Sequence, residues 1–292
     1  MRLFCLGLGF SAEALGERLQ PKGWRIAGTA RTPEKVIALK THGFEAFQSP
    51  LVNPPEAFRD TTHVLVSTPP GVDGDPSLRH KHDLESLIPR PLWLGYLSTT
   101  GVYGDHHGEW VDEQTPVAPS SERGTRRAEA ERAWLAWGKA SGVPVHVFRL
   151  AGIYGPGRNQ LENIRDGSAR RIVKPGQVFS RIHVDDIAQV LEASIAHPRA
   201  GAVYNVCDDE PAPPREVIEF AAKLLGREPP SLERFEDAAR SMSEMAQSFY
   251  AESKRVRNDL IKSELGVKLT YPTYREGLTA LKKEIAHAPR AQ

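Results

Sequence analysis

The chain has 292 residues, enough for one large α/β unit or about two domains. Hydrophobic residues make up 40% and charged residues 26%, a globular balance that excludes intrinsic disorder. Lys and Arg number 38 against 37 acids, so a nucleic-acid binder's global basic field is missing. No apolar window reaches the ~18 residues of a membrane span, and the opening MRLFCLGLGF reads as a strand entering a turn, not a signal peptide. Cys5 and Cys207 both sit in apolar runs, which makes neither a disulfide framework nor a metal set. That usage fits a reducing compartment, and a cytoplasmic protein is expected.

In chain order, strands are predicted at 3–6, 24–28, 44–47, 63–67, 92–97 and 145–150, each a short apolar run bounded by Gly, Pro or polar residues. Helical spacing lies between them at 11–19, 33–41, 78–88 and 122–141. This alternation predicts a doubly wound parallel sheet, the Rossmann arrangement, with helices on both faces. After 150 the rhythm changes. A Gly- and Pro-rich stretch over 151–176 leads to a strand at 178–182, a helix at 184–196 and a strand at 203–206. Helices follow at 215–225 and 274–285, while 230–253 has no clear periodicity. The expected partition is a dinucleotide-binding core of 1–150, which also receives 177–206, and a smaller, mostly helical substrate lobe of 151–176 and 207–292.

The first strand runs into Gly7-Leu8-Gly9-Phe10-Ser11-Ala12, a G-x-G-x-x-A turn placed between strand and helix. Gly7 would permit the tight turn, Gly9 would let a pyrophosphate approach the backbone, and Ala12 is small enough for helix–strand packing. Free N–H groups of the helix start, including those of Phe10 and Ser11, then face the phosphates. Beyond the second strand an NAD site needs an acid for the ribose hydroxyls, but Arg31 and Thr32 stand there. A guanidinium matches a 2′-phosphate, so NADP is expected ahead of NAD. Ligands of such sheets lie at the carboxyl ends of the strands, which adds Ser67, Thr68 and Pro69 to the cofactor contacts.

Four later segments resemble one family. Ser98-Thr99-Thr100-Gly101-Val102-Tyr103-Gly104 resembles the S-T-x-x-V-Y-G segment of extended short-chain dehydrogenases/reductases. Arg149 through Ile153-Tyr154-Gly155-Pro156-Gly157-Arg158 is similar to their R-x-x-x-x-Y-G-P-G, His183-Val184-Asp185-Asp186 to their H-V-D-D, and Tyr204-Asn205-Val206 to their Y-N-V. The resemblance implies a nicotinamide-dependent epimerase/dehydratase fold. It also implies that Thr99 polarises a substrate oxygen, with Tyr103 or Tyr154 the nearby phenols.

The departure is at Y-x-x-x-K, whose Tyr is the family's general acid/base and whose Lys lowers its pKa. Arg123 holds the Tyr slot and Arg127 the Lys slot, and no tyrosine lies between Tyr103 and Tyr154. Arginine stays protonated and cannot shuttle protons at neutral pH. The chain therefore resembles the superfamily's atypical branch, with Thr99, Tyr103 and Arg127 its remaining catalytic candidates. Thr100 and Gly101 replace the acidic pair of dehydratases, which argues against sugar 4,6-dehydration. A second Y-x-x-x-K, Tyr250 to Lys254, is expected far from the fifth strand.

Arg123, Tyr154, Arg158 and Arg181 are the expected substrate contacts. Arg123, Arg126 and Arg127 either bind an anionic group or pair with Glu129 and Glu131 across helix turns. Asp185 and Asp186 should cap and charge the helix at 184. His80, His82, His106 and His107 lack a ligand spacing, so no metal is expected. Trp134, Leu135 and Trp137 suit either a homodimer face or an intrachain core. The sequence thus points to an NADP-dependent oxidoreductase or epimerase acting on a small hydroxylated, nucleotide-linked sugar. The alternative is an NADP-binding sensor that has lost the chemistry.

Overall fold

A computed structural model describes residues 1–287. The chain alternates β1 (Arg2–Leu6), α1 (Phe10–Leu19), β2 (Arg25–Ala30), α2 (Pro33–Thr41), β3 (Glu45–Gln48), β4 (His63–Val66) and β5 (Trp93–Thr99). It continues through α3 (Glu122–Ser141), β6 (Val145–Leu150), α4 (Val184–Ala196) and β7 (Val203–Val206). The strands form one seven-stranded parallel sheet ordered β7-β6-β5-β4-β1-β2-β3, the doubly wound topology expected from the alternation.

Both faces are buried, as an all-parallel sheet requires, and the strand period of two divides its residues between two cores. Leu3 and Cys5 of β1 join Leu65, Phe148 and Tyr204 beneath α1 and α4. Phe4 and Leu6 point the other way, to Val64, Tyr96 and Val147 beneath α3. Each fully buried Leu, Phe or Val contributes about 1.5–3 kcal/mol. Trp134 and Trp137 belong to this second core. Their indole N–H groups donate to Asp75 at 2.7 Å and Glu85 at 2.6 Å, so the chain itself covers this face of α3.

Local chemistry sets the ends of α3. The Ser121 hydroxyl accepts from Gly124 N, and Gly142 closes the helix at φ 78°. Elsewhere local chemistry moved the expected boundaries. The predicted helix at 78–88 is a 3₁₀ turn, Pro76–His80, followed by the short helix Lys81–Glu85, because Asp75 caps Ser77 N and starts the tighter turn. The strand expected at 178–182 is confined to Arg181–His183, paired with Gly152–Tyr154. His183 Nδ1, not an aspartate, caps α4; Asp186 instead accepts from Thr270 N at 2.7 Å and Tyr271 N at 3.0 Å, tying the C-terminal segment down.

Tyr154, Leu161, Ile164, Val217 and Ile218 pack with Tyr274, Leu278 and Leu281 in a core apart from the sheet. It gathers α5 (Pro214–Leu225) and α7 (Tyr274–His287), which follows α6 (Glu244–Ala251). The unassigned 230–253 stretch supplies α6 and a short strand, Leu232–Arg234, parallel to Arg171–Val173.

His146 of β6 is fully buried, and its hydrogen bonds fix its protonation. Arg199 N–H donates to Nε2 at 3.1 Å, so the single proton sits on Nδ1, 2.7 Å from Ser194 Oγ. Burial, with the Arg199 charge, pushes its pKa down to about 4. The unfolded ring binds a proton below about pH 6.5 that the folded ring refuses, so its contribution is complete above that pH and is lost toward pH 4. The stability advantage of the chain over His146→Gln should therefore shrink by about 2–3 kcal/mol from pH 7 to 4 in urea titrations. A constant difference would show that the ring is protonated inside the fold.

Candidate active site

The site starts at the carboxyl end of β1. Gly7 has φ +92°, and a Cβ there would lie 2.8 Å from Thr68 Oγ1, so only glycine makes this turn. Thr29 holds the turn from beneath, its hydroxyl accepting from Gly7 N at 2.8 Å and its carbonyl from Leu8 N at 2.7 Å. Ser67 Oγ donates to the Gly7 carbonyl, and Thr68 Oγ1 to that of Leu6. Gly9 then caps α1 without a side-chain bond, and a Cβ on it would meet nothing within 4 Å. The first-turn N–H groups of α1 are left without side-chain partners beside open space, as a phosphate cradle requires. Ala12 is fully buried beneath the turn.

A cleft of about 720 Å³ opens over this turn. Gly9, Phe10, Ser11 and Ser67 form one wall, and Thr99, Arg123 and Arg127 another. Tyr154, Arg158 and Arg181 line the side toward the helical core. A recess of about 250 Å³ at the ends of β1 to β4 is lined by Thr29, Ser49, Pro50, Leu51 and Thr68. Arg31, Thr32 and Pro69 line neither space. Arg31 is exposed and has no hydrogen bond or ion pair among the described residues, whereas neighbouring Lys35 is held by Glu13 at 2.7 Å. Thr32 caps α2 by accepting from Lys35 N. These features fit a nicotinamide dinucleotide, with the turn and the head of α1 facing its phosphates.

Thr99 Oγ1 accepts from Gly101 N at 3.2 Å, which leaves its own hydrogen free to donate into the cleft. Arg127 Nη1 donates to the Leu97 carbonyl at 2.5 Å and sits over the Tyr96 ring, which fastens it to the end of β5. Tyr103 lies behind the cleft. Its hydroxyl donates to Asn205 Oδ1 at 2.7 Å and accepts from Arg149 Nη1 at 2.9 Å, and burial pushes its pKa up to about 12. Tyr154 contributes to the lining, but its hydroxyl is buried without a partner and points under α7, where a Cβ on Gly277 would touch it. Burial beside Asp208 and Asp186 pushes that phenol far up, so it is a poor proton donor.

The arginines of α3 do not pair as helix-turn arithmetic suggests. Arg126 joins Glu122 at 3.3 Å, and Glu131 is taken by Arg149. Arg181 is buried, with Nη1 on the carbonyls of Phe179 and Ala212. Sequence reasoning missed Arg170 and Glu252 in the lining, and it placed Tyr250 and Lys254 too far away. Pairing of Arg255–Val256 with Trp110–Val111 carries that segment to the cleft. There the Lys254 amine is consumed by the Gly104 carbonyl and Glu252, both at 2.6 Å, while the Tyr250 ring packs between Phe235 and Phe179.

Residues 90–207, from the approach to β5 through β7, match the model of the NAD dependent epimerase/dehydratase family. That span is less than half of the chain, and over it the chain resembles that family. The resemblance to extended short-chain dehydrogenases/reductases is thereby borne out for the segments around Thr99, Tyr154, His183 and Tyr204. A functionally unknown conserved protein from Silicibacter pomeroyi is 51% identical and superposes with a TM-score of 0.90 over 97% of this chain and 99% of its own. Protein YeeZ of Escherichia coli is 26% identical over 91% of this chain and 95% of its own length. The dTDP-glucose 4,6-dehydratase of Bacillus anthracis, in complex with NAD, shares the fold at a TM-score of 0.80 and 20% identity, covering 99% and 97% of the two chains. No helix of the chain is, among the described residues, long and apolar enough to cross a membrane.

Proposed function

We propose that the chain is a nicotinamide-dinucleotide enzyme, an oxidoreductase or epimerase acting on a small hydroxylated, nucleotide-linked sugar. The observation that carries this reading is the open face of Gly9 at the head of α1, in the same cleft as Thr99. The Bacillus anthracis structure is described with NAD, and relatives 26–30% identical over about half of this chain are named dTDP-glucose 4,6-dehydratases. A Streptomyces relative, 30% identical over 58% of the chain, is named a 3-diazoavenalumate denitrifying reductase. When bound, the dinucleotide supplies or accepts hydride at its nicotinamide. Thr99 then donates a hydrogen bond to a substrate oxygen, Arg127 holds the end of β5 in place, and no phenol relay operates. One observation favours the sensor reading instead: both slots of the Tyr/Lys pair carry guanidinium groups.

NADP is the proposed cofactor. Arg31, unpaired and exposed at the end of β2, is free to grip a 2′-phosphate in a charged hydrogen bond worth about 1.5–3 kcal/mol. NADPH should then bind roughly tenfold to a hundredfold more tightly than NADH. Arg31→Asp should reverse the order, because a carboxylate repels phosphate yet accepts bonds from ribose hydroxyls. Dissociation constants for both cofactors on both proteins, at one salt concentration, decide it. Equal affinities in the parent chain would remove Arg31 from the site.

A further inference from the structure

Among the described residues, two cationic side chains in the cleft have neither an acid nor a carbonyl to pair with. The guanidinium groups of Arg123 and Arg158 make neither a hydrogen bond nor an ion pair among the described residues. The cleft's other cations are spoken for: Arg170 by Glu233 at 2.6 Å, Lys254 by Glu252, Arg127 and Arg181 by backbone carbonyls. Among the described residues Glu252 is the one acid in the lining, and Lys254 at 2.6 Å with Ser120 Oγ at 2.5 Å occupies its carboxylate.

The two arginines come from different elements and converge. Arg123 is the second residue of α3, whose first turn is pressed against the loop after Thr99; a Cβ on Gly124 would lie 3.0 Å from the Gly101 carbonyl. Arg158 lies over the Phe10 ring at 6.0 Å, and that ring extends from the glycine turn toward Gly155. Partial desolvation, followed by the nearby Arg127 and Arg158 charges, lowers the pKa of Arg123. Like charges gathered without an acid destabilise the empty cleft, and a bound anion removes that cost.

We propose that the substrate carries an oxyanion, carboxylate or phosphate, on the end that reaches Thr99, and that Arg123 and Arg158 hold it where relatives place a phenol. This rests on the cleft being the substrate side of the dinucleotide site. A planar guanidinium offers paired donors to such a group, so the arginines orient the reacting end and select against neutral substrates. The pyrophosphate of the cofactor does not need them, because the head of α1 already presents its own N–H groups.

The test is calorimetric titration of benzoate and of inorganic phosphate into the chain, with and without NADPH, at low ionic strength. Saturable binding of at least one probe is expected, weakened about tenfold or more in Arg123→Gln and in Arg158→Gln. A preference for benzoate identifies a carboxylate substrate, and a preference for phosphate a phosphorylated one. The proposal is overturned if neither probe binds, if both variants bind as the parent does, or if Arg158→Gln weakens NADPH instead of the anion. NADPH affinity, read alone on the same three proteins, separates the two readings. Arginine-dependent anion binding without NADPH binding would sink the cofactor assignment and leave the anion site standing.

Discussion

Gly9→Val should abolish NADPH binding, a loss of at least a hundredfold in affinity, while leaving the melting temperature within a few degrees of the parent chain. The backbone at Gly9 has φ −110°, which any residue adopts, and a Cβ would meet no atom within 4 Å. The fold therefore gives no reason for glycine at this position. A ligand does: the valine methyl groups would occupy the space through which a phosphate reaches the N–H groups of Phe10 and Ser11. Gly7 is the control. With φ +92° and Thr68 Oγ1 at 2.8 Å from a Cβ, Gly7→Ala should lower stability as well as binding. Fluorescence titration with NADPH and thermal melts on the three proteins separate the two cases. Undiminished titration of a folded Gly9→Val would place the dinucleotide elsewhere.

What was legible in the sequence is what local periodicity encodes. Alternation such as Leu3 and Cys5 against Phe4 and Leu6 is invisible as a half-buried pattern because both faces are covered, yet the run itself still reads as a parallel strand. The turn at Gly7 to Ala12 was readable because its requirements are local: a positive φ, an open approach and a small residue under the helix. The partners of Tyr103 were not readable. Arg149 and Asn205 lie 46 and 102 residues away, and the motif alone leaves a phenol beside Thr99 that the folded chain has already spent on them. Tyr250 and Lys254 failed for a related reason. Two two-residue strands bring them to the cleft, too short to show any period. The arginines were visible as residues, but only the fold shows which of them lack an acid.

The largest stability effect should come from the ion pair beneath the site. Arg149 and Glu131 are 6% and 3% exposed, joined Nη2 to Oε2 at 2.9 Å, with Arg149 Nε shared between both carboxylate oxygens. Arg149 also donates to the Tyr103 hydroxyl and lies over its ring at 4.9 Å, and Glu131 accepts from Ser98 Oγ. Sheet register makes this possible, since Ser98 of β5 is directly opposite Arg149 of β6. Glu131→Ala strands a buried guanidinium and removes the Ser98 acceptor, at a cost of about 3–5 kcal/mol. That is a large part of the ~5–15 kcal/mol that holds a domain together. The double variant Glu131→Leu with Arg149→Met should recover most of the loss, because apolar side chains of similar volume need no counter-charge. Urea unfolding of the parent, single and double variants measures it. If the single variant costs under ~1 kcal/mol, or the double is no better than the single, the pair does not carry this load. Ser98 precedes Thr99 in the chain, and Arg149 ends one residue before the strand's last. Loosening the pair should therefore weaken NADPH-dependent turnover or ligand binding in the folded fraction too, through a displaced Thr99 hydroxyl.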